Sequence, residues 1–505
     1  MKRPLPARLA VQGRQVKRKL VLVPWEKEEE EEEDKEKVVV PFVRNRDYLK
    51  PFQVDALNRV REMNVSYVSM EPGMGKTVIA MEMALELQGP IMVVAPLSLH
   101  DSFRRSLCKF HVLESDQHRF TFCTPASFRL GFIKNRELVK DSIVIVDEAH
   151  CVRTNIRAGL VKKLKAHGYP MMELEDVLLH VEKYPNLVSE SLALIEACRL
   201  AKKVMFLSGT PLVNDVFDIA NFLSLAQNRP IEDAKSFRHK VWDMVHEWKK
   251  YFIFYHEKKK DSSDFPKINI TQVVLAVDKE QCATVTQRKQ LNEHYKALPF
   301  HVGDRMCGNA IPFKSNYIGN MILSLPPEYK ILIHSTFKEN GVHIVGEMLR
   351  KIQRKFVTIS GDEDEMERSQ NFLTFCDPKS NVNVCLISPA GCQGLDFCGV
   401  RAIFVMESQW NKATMNQIIG RGARRGSHNH LPEDQRNLKV YQMMMTYPDD
   451  VEESADQRIQ QHSDKKFVIC QKLLNALSSY YHCLFSCSIK KRKFRYVIIF
   501  YREFR

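Results

Sequence analysis

Apolar residues in this chain gather in short unbroken runs: Val65, Tyr67 and Val68; IMVVAP (91–96); SIVIVDEAH (142–150); VMFLSGTPLVND (204–215); KILIHSTF (330–337); FVTISG (356–361); NVCLISPAGCQGLDF (383–397); and VRAIFVMES (400–408). A run that is apolar at every position, not at alternate ones, predicts a strand buried on both faces of a parallel sheet. Between the runs lie segments with helical spacing, among them Val78, Ile79, Met81, Met83, Ala84 and Leu85, then NGVHIVGEMLRKI (340–352) and EDEMERSQNFLTFC (363–376). Strand and helix therefore alternate twice over, which predicts an α/β chain with two parallel-sheet layers. The expected boundaries are a charged tail over 1–44, a first α/β domain over 45–228, a helical insertion over 229–320, a second α/β domain over 321–448, and C-terminal helices with a basic tail over 449–505.

The chemistry sits where the predicted strands end. SMEPGMGKTVIA (69–80) joins a strand to a helix, so Gly73, Met74, Gly75 and Lys76 occupy a loop where free backbone N–H groups and the helix dipole favour an anion. Its glycines let the backbone wrap a phosphate, Lys76 reaches the β and γ oxygens, and the Thr77 hydroxyl suits a Mg2+ position. The strict Walker A spacing asks for glycine where Met70 stands. In DEAH (147–150), Asp147 is assigned to Mg2+ and Glu148 to orienting and deprotonating water, with strand pleat separating the two carboxylates and His150 coupling to the neighbouring domain. Gln53, behind the aromatic Phe52, has the amide donor and acceptor to pair with adenine. Gln417, Gly420, Arg421 and Arg424 follow the order Q-x-x-G-R-x-x-R; on a helix 417, 421 and 424 share a face, an arrangement suited to an arginine finger. Pro96 and Ser98, with Thr124 and Ser127 in TPASF, lie on strand-end loops at a sheet's carboxyl edge, where open α/β folds bind ligands.

Composition narrows the class. The formal charge of +14 over 505 residues points to a polyanionic partner. No apolar run approaches the roughly 20 residues that cross a bilayer, and the expectation is a soluble intracellular protein without a membrane partner. Thirteen cysteines lacking any C-x-x-C pair fit free thiols better than a zinc site or disulfide frame. A basic opening from Lys2 to Lys19 followed by the acidic block Glu26 to Lys37 reads as a solvated tail. KKRK at 490–493 is a nuclear signal, a phosphate contact or a solvated basic tail.

Taken in order, Gln53, GMGKT, DEAH, SGTP, LIHSTF, SPAGCQGLDF and QIIGRGARR resemble the core of superfamily two helicases and translocases over about residues 45 to 448. SGTPLVND resembles its Swi/Snf-like branch, and ESQWNKATMNQIIGRGARRGSHNHLPEDQRNLKVYQMMMTYP is similar to nucleoside triphosphatases and early transcription factor subunits of large DNA viruses. That resemblance implies two tandem RecA-like domains, ATP and Mg2+ as ligands, and an ATPase that tracks on DNA, duplex favoured with RNA as the alternative. It also implies work beside a viral RNA polymerase, in virion or host cytoplasm. By resemblance Gly394 and Asp396 join the ATP site, and Ser98, Thr124, Ser335 and Ser388 lie along the nucleic-acid track. Two rival readings stay open: a polymerase-associated scaffold that uses ATP as a switch, and a true unwinding helicase.

Overall fold

The computed structural model describes residues 47–70, 73–255, 265–298, 301–389, 395–448, 450–478 and 495–500. The chain divides into Met1–Tyr48 and Leu49–Arg505. The expected charged tail, the KKRK cluster and Gly394 lie outside the described residues.

Within Leu49–Arg505 the first sheet is built from β1 (Val65–Met70), β2 (Ile91–Val94), β3 (Phe120–Cys123), β4 (Ile143–Asp147), β5 (Lys203–Ser208) and β6 (Phe252–Tyr255), in the order β3-β2-β4-β5-β1-β6, every pair parallel. The second contains β7 (Lys267–Ala276), β8 (Lys330–His334), β9 (Phe356–Ile359), β10 (Val384–Ile387), β11 (Val400–Val405), β12 (Asn437–Thr446) and β13 (Arg495–Phe500), in the order β13-β7-β12-β11-β8-β10-β9, again all parallel. These are the two parallel-sheet α/β domains that the alternation of runs and helices predicts, in the tandem RecA-like form that the resemblance implies.

The unbroken apolar runs are explained by burial on both faces. Along β4, Val144 and Val146 enter one core cluster while Ile143 and Ile145 enter the other. In the second domain Ile331 and Ile333 of β8 face one core and Leu332 the other; on β10, Val384 and Leu386 oppose Cys385 and Ile387. Each such aliphatic side chain contributes about 1.5–3 kcal/mol when fully buried, so a polar residue inside a run is disfavoured and polar chemistry falls at the strand ends.

Residues 229–320, expected as a helical insertion, do contain helices at Ala234–Trp248, Lys279–Gln290, Val302–Ala310 and Phe313–Ser324. They also supply β6, which pairs with β1, and β7, which pairs with β12. The first of these helices seats Phe237, Val241, Val245 and Trp248 in the first domain's core, and the last seats Ile318 and Ile322 in the second's. The stretch is thus shared out between the two sheets.

The C-terminal helix Ala455–Ser478 joins the domains. Its 24 residues extend about 36 Å at 1.5 Å per residue. Near its start Asp456 pairs with Lys314 beneath the second sheet, and towards its end Cys470, Leu473 and Leu477 are part of the first domain's core.

Candidate functional site

The loop after β1 takes the shape the glycines permit. Gly73 and Gly75 have φ of 81° and 84°, a region that favours glycine. A Cβ on Gly75 would also collide with Gln53 Nε2. Gln53 bridges two segments: its Oε1 accepts from the Lys50 N–H at 2.9 Å, and its Nε2 donates to the Met74 carbonyl at 3.1 Å. The nitrogen end of the amide read as an adenine partner is therefore placed against the phosphate-type loop, and its oxygen end against the start of its own helix. Lys76 opens the helix Lys76–Glu86 and donates from Nζ to the carbonyl of Met70, the last residue of β1, at 2.9 Å. Thr77 follows on the helix's first turn.

β4 ends on Asp147, and Glu148 leaves the strand at φ 52°. The two carboxylates are thus separated by a left-handed kink and not by strand pleat, because the strand stops one residue earlier than the pleat argument needs. A non-glycine residue in that region costs on the order of 1–3 kcal/mol, and the Glu148 N–H donating to Asp147 Oδ1 at 2.9 Å offsets part of it. The His150 side chain is outside the described residues.

After β5, the Ser208 hydroxyl accepts from the Thr210 N–H at 3.1 Å and from Arg153 Nη2 at 3.3 Å, while Arg153 also donates to the Thr210 carbonyl. Arg153 was not singled out by sequence reasoning. It sits in a loop with no periodicity, five positions past Glu148, and only its nearness to DEAH marks it.

From the second domain, the helix Lys412–Gly422 starts on Asn411, whose Oδ1 accepts from the Thr414 N–H at 2.7 Å. It carries Gln417, which is exposed, and Arg421, whose Nη1 donates to the Leu395 carbonyl at 3.4 Å. The shared helical face of 417, 421 and 424 does not form, since the helix ends at Gly422 and Ala423 turns away with φ −119° and ψ 77°. Gly422 packs so closely on Val400 and Ile403 that a Cβ would lie 3.1–3.2 Å from them, and Ser427 closes a turn by accepting from the Arg424 N–H at 3.2 Å and donating to its carbonyl at 2.7 Å. Arg424 instead projects from this turn to Asp396, Nη2 to Oδ1 2.5 Å, and donates from Nε to the Gly420 carbonyl at 3.2 Å.

The two domains meet around this pair. A Cβ built on Gly73 would lie 3.7 Å from the Arg425 backbone nitrogen. Burial pulls the Arg424 guanidinium below its ordinary value, with Arg421 adding to the effect; Asp396 and, from the first domain, Glu148 oppose it. Burial likewise pushes the Asp396 carboxyl up, opposed by Arg424, Arg421 and, from the first domain, Arg105. Fixed hydrogen-bond donors, Lys76, the carboxylates Glu148 and Asp396 and the arginines Arg105, Arg421 and Arg424 thus lie along one cleft, a set that can hold and polarise a polyphosphate.

The residues expected along a nucleic-acid track divide into two kinds. Ser98 is exposed on the first turn of the helix Leu97–Lys109, just after the half-buried Pro96. Thr124 and Ser127 form a capping box on the helix Pro125–Lys134, with the Ser127 N–H donating to Thr124 Oγ1 at 3.1 Å and the Thr124 N–H to Ser127 Oγ at 2.9 Å. Ser335 and Ser388, at the ends of β8 and β10, are buried, and Ser335 Oγ donates to Glu407. Glu407 was also missed, although its place directly behind the apolar run of β11 repeats that of Asp147 behind β4.

Residues 314–426 match the helicase conserved C-terminal domain. The chain is 25% identical over 423 residues to an Acanthamoeba polyphaga mimivirus protein named as an ATP-dependent RNA helicase, covering 79% of this chain and 90% of that protein. It is 22% identical to the termination factor NPH-I homolog of African swine fever virus, covering 73% of this chain and 67% of the relative. A shorter match, 39% over 61 residues, covers 12% of this chain and 9% of the nucleoside triphosphatase I of Heliothis armigera entomopoxvirus. With its paired parallel sheets and this matched domain, the chain is similar to superfamily two helicase-like proteins of viruses.

Proposed function

We propose that this chain is a nucleic-acid-dependent ATPase that hydrolyses ATP between its two domains and moves on duplex DNA in support of viral transcription. The observation that carries the reading is the approach of Arg424 and Asp396 to Glu148, Arg105 and the Gly73 loop across one cleft. In this reading Gln53 holds the adenine edge, Gly73, Met74, Gly75 and Lys76 hold the phosphates, and Asp396 and Gly394 complete the nucleotide site. Glu148 orients the attacking water and takes its proton. Arg421 and Arg424 meet the charge that develops on the transferred phosphoryl, and Gln417 lies at the same edge.

Thr77 and Asp147 are the residues that would hold Mg2+. The donor set fits it: a hydroxyl and one carboxylate are hard oxygens too few for an all-protein cage, and among the described residues no cluster of three or more histidine, cysteine or acidic side chains forms a rival metal site. Bound there, the ion neutralises phosphate oxygen charge.

Pro96, Ser98, Thr124 and Ser127 offer hydroxyls and helix starts to a phosphate backbone in the first domain. Ser335 and Ser388 shape the matching loops of the second from inside. A relative named a termination factor supports the transcription role and one named a nucleoside triphosphatase supports the ATPase, whereas the mimivirus relative's name favours RNA over DNA. Measuring ATP turnover with no polymer, single-stranded DNA, duplex DNA and RNA tests the reading. Duplex DNA is expected to stimulate most; stimulation by RNA alone reassigns the substrate, and turnover indifferent to every polymer rejects the function.

A further inference from the structure

The apolar run of β11 stops on Glu407, whose side chain is 0% exposed. Its Oε1 accepts from Asn309 Nδ2 at 2.6 Å and from Ser335 Oγ at 2.5 Å, and its Oε2 accepts from the Thr336 N–H at 3.0 Å. Ser335 Oγ also accepts from the Phe337 N–H at 3.2 Å, and a Cβ on Gly341 would collide with that hydroxyl. The loop Ser335–Phe337 is therefore gripped at two successive backbone amides, one directly by Glu407 and one through Ser335.

The grip continues to the C-terminal helix. Asn309 Oδ1 accepts from the buried Lys314 Nζ at 3.1 Å, and Lys314 pairs with Asp456 Oδ2 at 2.7 Å. Asp456 accepts further from the Ser408 N–H at 3.2 Å and the Met445 N–H at 3.1 Å. Arg305 donates to the Ser408 carbonyl at 3.0 Å and lies 5.0 Å from the Phe337 ring centroid. Two cations and two carboxylates balance inside the domain. A buried ionic set of this kind is seldom more stabilising than apolar packing of the same volume; what it does supply is fixed direction at every hydrogen bond.

We propose that Glu407 is a positioning residue for polymer-stimulated turnover, its carboxylate fixing the Ser335–Phe337 loop at the carboxyl edge of the second sheet in the form that meets the nucleic-acid backbone. It acts through the loop and touches neither nucleotide nor polymer. The proposal rests on the function proposed above, and its test separates the two. Hydrogen exchange and ATP turnover are measured on the full chain, on Glu407→Gln, and on Glu407→Asp, which keeps the charge. Glu407→Gln is expected to speed exchange of the Thr336 amide at least tenfold with the strands of the second sheet unchanged. It is also expected to raise the half-saturating duplex DNA concentration at least tenfold while KM for ATP moves less than twofold, and Glu407→Asp recovers part of both. Exchange that rises evenly over the whole second sheet, or a half-saturation within twofold of the parent, overturns it. Should Glu407→Gln fail to fold, Ser335→Ala removes the hydroxyl that donates to Glu407 and accepts from the Phe337 N–H, and must move both readouts in the same direction. If the parent chain turns over no ATP with any polymer, the function fails, and the absence of a tenfold change at Thr336 still overturns the grip.

Discussion

Arg424→Ala is the sharpest test of the cleft, because its effects on folding and on rate differ by several kcal/mol. In the structure Arg424 pairs with Asp396 at 2.5 Å, but the two side chains are 23% and 51% exposed. Neighbouring protein crowds both groups, but with half of the Asp396 side chain open to water the pair contributes about 1 kcal/mol to folding. An arginine acting on transition-state charge is worth about 10^3 to 10^5 in rate, which at about 1.4 kcal/mol per tenfold is roughly 4–7 kcal/mol of barrier. The rate effect is much the larger, so the variant should fold, bind a fluorescent ATP analogue within a fewfold of the parent, and lose at least three decades of saturated turnover by this scale. Equilibrium titration with the analogue and steady-state phosphate release at saturating ATP and polymer measure the two quantities separately. Loss of ATP affinity with saturated turnover intact would make Arg424 a ground-state contact and refute the reasoning.

Lys76→Ala should lose nucleotide affinity, whereas Glu148→Gln should keep ATP bound and unhydrolysed, since only the water-directed carboxylate is neutralised; parent-like turnover by Glu148→Gln in a phosphate-release assay contradicts its assignment. His334 is buried, and burial, with Arg305 adding, pushes its imidazole down to about 4 against the pull of Glu407. A histidine with a depressed folded value stabilises above its unfolded value near 6.5 and loses that stability as pH falls towards 4, so about 2 kcal/mol should disappear between pH 7.5 and 5. Urea midpoints of the parent and His334→Gln should converge over that window, and parallel midpoints would contradict it. Displacement of a third strand from a triplex should depend on ATP while a blunt duplex separates slowly or not at all; efficient unwinding of a forked duplex with no triplex displacement would reassign the chain to processive unwinding.

Most of both sheets was legible because a strand covered on both faces must be apolar at every position, as in IVIV of β4 and VCLI of β10. The strands missed either carry that signature among lysines or lack it at one end. FIFY of β6 is hidden among lysines in EWKKYFIFYHEKKK, and the first three residues of KINITQVVLA in β7 are exposed. Glycine spacing located the turn through Gly73 and Gly75 because positive φ at both leaves little else, but Lys76, read onto the loop, already opens the helix. Arg424 was read onto a helix since spacing alone does not register that Gly422 must pack on Val400 and end it. Arg305, Lys314, Glu407 and Asp456 were invisible for a related reason: a charge is read as exposed unless its partner is known, and these partners lie up to 142 positions apart.

Magnitudes also decide what keeps the two domains together. Across the cleft the groups that face one another are Glu148 and Arg105 against Arg424 and Asp396, charges with access to water whose attraction is screened to about 1 kcal/mol or less. Along the helix Ala455–Ser478, by contrast, Leu473 and Leu477 are 0% and 2% exposed inside the first domain's core, worth about 3–6 kcal/mol between them. At its other end the same helix is fixed in the second domain by Asp456 and Lys314. The helix therefore supplies a standing attachment larger than that of these four charges. A weakly self-attracting cleft beside a strong lateral attachment leaves the arginines and the Gly73 loop near one another without binding them shut. Under the proposed function, anionic phosphates placed between Lys76, Arg421 and Arg424 should draw the cleft together, and nucleotide-dependent closure measured by small-angle scattering checks it.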